Sequence, residues 1–512
     1  MIQIPFGSLP GIPELFRDYV GGSLKKPELY SHRPDIASVI EMARRRLNEP
    51  LPHREVLCRC LAEQQKNWGG RTDSVDGSLA RGAVAVVTGQ QPGLFTGPMY
   101  AILKAITIIK LTRRLEAAGI PAVPVFWIAA EDHDFEEIRW ASVLDRESNV
   151  RRFRVDLHNE DASPVGWLKF KDDVSAEANA CLENLPQSEF QAGVREILEA
   201  SYRPGTSPVD SFARMMTKLF GDSGMILVDP LHPAVKEIAA PMLREVIQRN
   251  AEIRLAVAAR SRLVSEVGYH EQVKVDGDFT GLFALRGRSR KALKPADLGV
   301  DQVLSPNVLV RPAIQDKIFP TAAFVAGPAE IAYLAQAGPV YAALGREQAP
   351  IVPRISATVL ETRVARPLRK YGLSPVDSFQ GREFLKRRAV ENSQGTADFA
   401  RVKNRIDEEV ESLRGPIKAV DQTLAGALET AKQKMRHQIE TLETKFINAE
   451  ARRHDVMEKQ LDLIGHALFP EKKLQERVIN VTSFLVRYGP QFLIHLEREL
   501  DLDVAAHQVV EI

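Results

Sequence analysis

The chain has 512 residues, 44% of them hydrophobic and 26% charged, with a formal net charge of +1. That length gives two or three domains with sizeable cores. The balanced charge gives no global field for nucleic acid or an anionic membrane, so neither is expected as a partner. No apolar run reaches the ~18 residues of a spanning helix. The start, MIQIPFGSLPGIPELF, lacks a basic end and a continuous apolar stretch, so no secretory signal is read there. Three cysteines in so long a chain point to a reducing cytoplasm. Cys58 and Cys60 stand two apart and Cys181 is distant, which is not paired CxxC spacing, so no zinc or other metal is expected.

Residues 1–82 read as a Pro- and Gly-punctuated surface segment and then helices over 36–65, broken by Pro50 and Pro52. The chain is organised around residues 84–134. Residues 83–87 are a short β-branched apolar run, read as a buried strand. Gly89, Gly93 and Gly97 punctuate a loop, and Pro98 opens a helix in which Met99, Ile102, Leu103, Ile106, Ile109 and Leu115 recur at helical spacing. Gly119 and Pro121 end it, and 123–128 is a second buried strand running into Glu131-Asp132-His133-Asp134. Polar residues at the carboxyl ends of two strands mark the ligand edge of an open α/β sheet. The loop and helix start next to Thr88, Gln90 and Gln91 suit an anion. The spacing is neither GxxxxGK[ST] nor GxGxxG.

Alternation over 150–157 predicts strands of an insertion sheet, and 233–263 reads as one long helical stretch. Residues 273–275 and 282–285 read as a hairpin. The core returns at 321, where an apolar run precedes Gly327-Pro328 and a helix bearing Glu330, Tyr333 and Gln336. This repeats the pattern at Gly97-Pro98. Either the two starts are walls of one pocket, or Gly-Pro is simply a common way to begin a helix. Residues 350–354 form another short strand ending at Arg354. Over 396–460, apolar residues step by three and four between Lys, Arg and Glu, the pattern of a coiled coil. Gly415-Pro416 either kinks it or turns it into an antiparallel hairpin. Residues 461–512 read as a helical tail that packs back on the core or serves a dimer.

The cluster at 131–134 is the densest polar group after a buried strand. His133 is a candidate proton acceptor, its reference pKa lying near ~6.5. The carboxylates of Glu131, Asp132 and Asp134 are candidates to orient it, to bind an ammonium group, or to hold Mg²⁺. The bland alternative is a solvated strand-to-helix turn in which an Asp caps the next helix. Thr88, Gln90, Gln91, Thr96 and Tyr100 are uncharged donors and acceptors suited to an amino acid or a sugar hydroxyl. Lys104, one turn beyond Tyr100, either reaches the loop's ligand or is an ordinary helix-surface lysine.

TGQQPGLFTGPMYAILKA, with PVFWIAAEDHDFEEI after it, resembles the BshC family, the cysteine-adding enzymes of bacillithiol biosynthesis. Similar stretches recur at 311–336 (RPAIQDKIFPTAAFVAGPAEIAYLAQ), 350–361 (PIVPRISATVLE) and 468–480 (LFPEKKLQERVIN). The resemblance implies an α/β fold: a Rossmann-type core like that of class I aminoacyl-tRNA synthetases, with insertion subdomains and an α-helical coiled-coil domain. With it the chain divides into an N-terminal wrap (1–82), a first core half (83–140), insertions (141–310), a second core half (311–395), the coiled coil (396–460) and the tail (461–512). The implied reaction joins cysteine to glucosaminyl malate in a homodimer, with Thr88, Gln90, Gln91, Gly97, Pro98, Tyr100, Gly327, Pro328, Glu330, Tyr333 and Arg354 binding substrates. Arg354 would pair with a malate carboxylate.

The synthetases' HIGH and KMSKS strings are absent, and TGPMY stands in place of HIGH. ATP or another adenine nucleotide is therefore expected only by analogy of fold and because amide formation from a free carboxylate is uphill. The alternatives are another ATP-dependent aminoacyl-transfer enzyme, or a nucleotide-binding coiled-coil scaffold without turnover.

Overall fold

A computed structural model describes residues 2–157, 159, 161–299, 302–392, 398–452 and 455–512. The chain forms two compact units, Met1–Thr358 with Gln475–Val510, and Val359–Leu474 with Glu511–Ile512. The boundary expected at 395/396 lies outside the described residues.

The first unit is built on a five-stranded parallel sheet. Its strands are β1 (Val84–Gln90), β2 (Ala122–Ile128), β3 (Ile226–Val228), β4 (Thr321–Ala326) and β5 (Ile351–Pro353), in spatial order β5-β4-β1-β2-β3. Strand β2 is buried throughout, as a parallel strand covered on both faces must be. Helix α1 (Tyr100–Ala117) links β1 to β2. Ile102, Ile106 and Ile109 are almost fully buried, each contributing roughly 1.5–3 kcal/mol by transfer from water. Its end is closed by two hydrogen bonds, from Gly119 N–H to Glu116 O and from Ile120 N–H to Leu115 O. This closure needs a left-handed residue, which Gly119 supplies at φ +78°.

Strand order runs outward from β1 in both directions, first through β2 to β3 and later through β4 to β5. The gap between the carboxyl ends of β1 and β4 is therefore the topological switch point of the sheet.

The insertions carry small sheets. Trp140–Leu144 pairs antiparallel with Val150–Arg154, and Leu282–Arg286 pairs with both Ser289–Ala292 and Val303–Pro306. The expected partner of 282–285 was 273–275, which is not a strand; Gln336 Oε1 instead accepts the Val273 N–H. The stretch 233–263 is two helices, Pro233–Gln248 and Asn250–Glu266. Of the expected helical tail, Gln475–Val510 belongs to the first unit. Its end is a strand, His507–Glu511, with His507 opposite Ile4 of the N-terminal strand Ile2–Ile4.

In the second unit, the helices Phe399–Ser412, Arg414–Val420 and Leu424–Arg452 form an antiparallel hairpin. Lys403 pairs with Glu443, Asp407 with Arg436, and Arg414 with Glu429, so the partners run in opposite directions. The reversal occurs at Asp421–Thr423, where the Asp421 carboxylate accepts from the Thr423 N–H and hydroxyl. Gly415-Pro416 sits in the first turn of the middle helix, where the missing proline N–H breaks no helical bond.

Candidate active site

A pocket of about 260 Å³ lies at the switch point. One wall is Gly89, Gln90 and Gln91 from the end of β1, with Tyr100 and Lys104 from α1; the other is Gly327–Glu330 and Tyr333, just beyond β4. Trp127, Asp132 and Glu137 come from the end of β2 and beyond, and Arg311, Arg354 and Arg477 complete it.

Lys104 organises the two walls. It is almost fully buried, and its ammonium donates to Gly89 O at 2.6 Å and Gln90 Oε1 at 3.1 Å and pairs with Glu330 Oε2 at 2.5 Å. Burial lowers its pKa, with the Glu330 carboxylate opposing. Glu330 in turn accepts the Gly327 N–H at 2.7 Å. The reading of Lys104 as a helix-surface lysine is thus corrected: it is an internal strut that ties the end of β1 to the turn after β4. The strands beneath are tied by the Thr88 hydroxyl, which donates to Val325 O at 2.8 Å and does not line the pocket.

Asp132 reaches the pocket through Gln91, whose amide donates to its carboxylate at 2.8 Å. The other carboxylate oxygen accepts the N–H groups of His133 and Asp134. Burial acts to raise the Asp132 pKa, but Gln91, Arg290 and the Asp134 amide more than offset it, and the net shift is downward. At the rim, Glu137 has a raised pKa although its side chain reaches solvent. The protein packed around it acts first, then Asp134 and Asp132.

The rest of the 131–134 cluster points elsewhere. Glu131 is buried in an ion pair with Lys236, which also donates to Leu304 O. His133 lies outside the pocket lining, and its Nδ1 is 3.1 Å from the Arg290 guanidinium. An arginine can only donate, so Nδ1 is the ring nitrogen set to accept from it. His133, the expected proton acceptor, therefore stands outside the pocket lining with its inner nitrogen against a cation. Asp134 is exposed.

Gly97 and Pro98, expected as a pocket wall, also lie away from it. The N–H groups of their loop are used internally. Thr96 N–H donates to the Tyr202 hydroxyl, Gly97 N–H to Leu94 O and Met99 N–H to Ile479 O. Asn480 donates to Phe95 O and Gly97 O, holding the loop with Phe95 and Thr96 at positive φ. Gly93 is required by close approach, since a Cβ there would stand 2.8 Å from Gly97 Cα. Of the two Gly-Pro helix starts, only Gly327-Pro328 reaches the pocket.

Arg354 does line it, but its charge is committed. It forms a two-pronged pair with Glu476 at 3.0 and 2.5 Å, both side chains nearly inaccessible. Arg311 and Arg477 make no ion pair with a described carboxylate. Neither was singled out from the sequence, although both fall inside stretches that carry the family resemblance. The Trp127 indole N–H, buried in the wall, has no acceptor among the described residues. Among the described residues no three His, Cys, Asp or Glu side chains converge.

A Rossmann-like α/β core with a polar, cation-bearing pocket at its switch point, joined to an α-helical hairpin unit, defines a two-part protein of the Rossmann-like α/β class. The comparisons narrow this. The model of "Bacillithiol biosynthesis BshC, N-terminal Rossmann-like domain" matches residues 3–300 and 299–355, and that of the BshC C-terminal coiled-coil domain matches 357–512. A Salinibacter ruber protein named "Putative cysteine ligase BshC" is 34% identical over 99% of this chain and 98% of its own length. Proteins of the same name from Koribacter versatilis (32%; 95% of each chain) and Bacillus cereus (29%; 83% of this chain, 84% of the relative) are also similar. The chain belongs to the BshC family.

Proposed function

We propose that this protein is a ligase that forms an amide between the carboxyl group of cysteine and the amine of glucosaminyl malate, completing bacillithiol biosynthesis in the cytoplasm. The observation that carries this reading is the division of charge in the pocket at the end of the sheet. Asp132, held ionised, offers a partner for the cysteine ammonium. Arg311 and Arg477, which make no ion pair among the described residues although Asp132 and Glu137 lie within reach of their charge, offer two cations for the dicarboxylate of malate. Gln90, Gln91, Tyr100 and Tyr333 supply neutral hydrogen bonds for sugar hydroxyls. In this reading ATP or another adenine nucleotide is the cosubstrate that adenylates the cysteine carboxyl, with pyrophosphate released from ATP, and AMP leaves when the amine attacks. As the amine attacks, its proton passes to Glu137, whose raised pKa makes its carboxylate a better acceptor than an ordinary one. The protein acts as a homodimer, with the coiled-coil unit as the contact; a monomer by light scattering at micromolar concentration would overturn that part.

Mass spectrometry of purified protein with cysteine and glucosaminyl malate, with and without ATP, tests the reaction. Product that requires ATP is expected. Product without it would point to a pre-activated donor, and none under either condition would refute the ligase reading.

A further inference from the structure

At the end of β1, three residues of the pocket form a hydrogen-bonded chain whose directions are fixed. Tyr100 and Lys104 stand four apart on α1, so they share a face of the helix, and both meet Gln90. The Lys104 ammonium has three N–H groups and three acceptors: Gly89 O, Gln90 Oε1 and the Glu330 carboxylate. An ammonium only donates, so the Gln90 amide must turn its oxygen to the lysine, at 3.1 Å. Its NH₂ group then faces the Tyr100 hydroxyl oxygen, at 3.4 Å. Turned over, the amide would set its N–H groups against those of the lysine. The Tyr100 oxygen therefore accepts from Gln90, and its own hydrogen has no acceptor among the described residues. The phenol is partly exposed and lines the pocket. The protein packed around it pushes its pKa up to about 12, so it keeps its proton. The charges that act on it, those of Glu137, Arg477, Arg354 and Glu330, all line the same pocket, so the hydroxyl faces the space in which the substrate is held.

We propose that Gln90 is a positioning residue: anchored by Lys104, it holds Tyr100 as a hydrogen-bond donor to an oxygen of glucosaminyl malate, either a sugar oxygen or a malate carboxylate. The geometry gives a direction as well as a contact. A lone tyrosine hydroxyl rotates, and it donates or accepts as its ligand requires. With Gln90 already donating to its oxygen, Tyr100 turns its hydrogen away from Gln90 and has that hydrogen to give. It thereby favours a ligand group that accepts, because a group that can only donate would leave the hydrogen unpaired. The buried lysine that ties the two walls together thus also sets, through one amide, what the pocket recognises.

The choice of substrate rests on the ligase reading. Titration calorimetry of the full-length protein with glucosaminyl malate, without cysteine or ATP, tests the inference through a double-mutant cycle. Tyr100→Phe should weaken binding roughly three- to tenfold, the worth of one neutral hydrogen bond. In Gln90→Glu the amide donor becomes an acceptor, and the phenol turns to donate to it. Adding Tyr100→Phe in that background should change the affinity by less than about twofold; the new charge is common to both proteins and cancels. Equal losses in the two backgrounds, as a packing role for the ring would give, would overturn the orientation. No loss in the wild-type background would overturn the contact. If Gln90→Glu does not fold, exchange of Tyr100 alone for 3-fluorotyrosine decides. Fluorine makes the O–H a stronger donor and a weaker acceptor, so tighter binding is expected, and unchanged or weaker binding would overturn the donor role. With glucosamine and L-malate titrated separately, the Tyr100→Phe loss should appear with one of them, which then carries the oxygen; a loss with neither would overturn the contact. No binding of glucosaminyl malate at all would refute the ligase reading and this inference together. The expected cycle without product when cysteine and ATP are added would refute the ligase reading alone.

Discussion

Helix α1 in the core and the hairpin helices of the second unit are written in the same three-and-four apolar rhythm, yet they treat it in opposite ways. In α1 nearly every apolar residue is buried, and so is Lys104. In the hairpin Leu442, Leu413, Met435 and Val402 are roughly half exposed, and Val420 is almost fully so; Val410, Leu428 and Ile447 are buried. A helix between two parallel strands is covered by the sheet and by what packs outside it. A two-helix hairpin can bury only one narrow seam. The same periodicity therefore marks a completed core in one place and, in the other, an apolar surface that a second copy of the chain would cover in the proposed homodimer.

The sharpest way to break this comparison is to disturb buried charge in the core. Arg354→Met would leave Glu476 buried without its cation, and a loss of roughly 3–5 kcal/mol in urea unfolding is expected. Replacing both partners by apolar residues should recover much of it. Next comes Ile106→Ala in α1, expected to cost roughly 2–5 kcal/mol through transfer and cavity terms. Met435→Ala in the hairpin should change the unfolding of the isolated chain by less than about 0.5 kcal/mol, as surface substitutions do. Equal effects at the two sites would mean that the hairpin face is already covered.

The core also carries a carboxyl whose pKa is raised toward neutrality. Asp229, at the end of β3, is partly exposed, and the protein packed around it pushes its pKa up to about 7, with Asp210 and Glu131 adding to the shift. The folded state thus holds a proton that the unfolded chain releases near pH ~3.9. The associated stability is fully present below that value, and it falls as pH rises and is lost once pH passes 7. Asp229→Asn should flatten this slope and be the more stable protein at pH 8. A slope unchanged by the substitution would assign it to another group.

The same division between local and distant causes governs what the sequence revealed. The strand–loop–helix–strand of 84–128 was legible because its signals are local: β-branched runs, a proline near a helix start, a glycine at its end. So was the edge of the sheet at which ligands would bind. What each polar residue does there was not legible, because its partner is far along the chain. Glu476 pairs with Arg354 across 122 residues, and Asn480 holds the Gly97 loop across 383. Gly97-Pro98 and Gly327-Pro328 look alike as strings. They differ because Tyr202, Ile479 and Asn480 close one loop, while Lys104 and Glu330 support the other. His133 meets Arg290 across 157 residues. The reversal of the hairpin went to Asp421–Thr423 and not to Gly415-Pro416 for a local reason after all: a proline in the first turn of a helix permits it to continue.

The smallest effects are expected along the hairpin, where they test its register. Lys403–Glu443 and Asp407–Arg436 span the two long helices and are only partly shielded from water. Each such pair contributes roughly 0.2–1 kcal/mol. Lys403→Glu should therefore destabilise the second unit by no more than about 1 kcal/mol, placing two carboxylates face to face, and Glu443→Lys in the same chain should restore it. At 1 M salt, where screening acts within about 3 Å, both the loss and the rescue should largely vanish. An antiparallel hairpin reversing at 421–423 is the arrangement that sets residue 403 opposite 443. A continuous kinked helix would separate them by some 40 residues, or about 60 Å, and no rescue would then occur. A double-mutant cycle with a coupling near zero at low salt would thus break the hairpin itself, whereas a positive coupling that salt removes would fix its register.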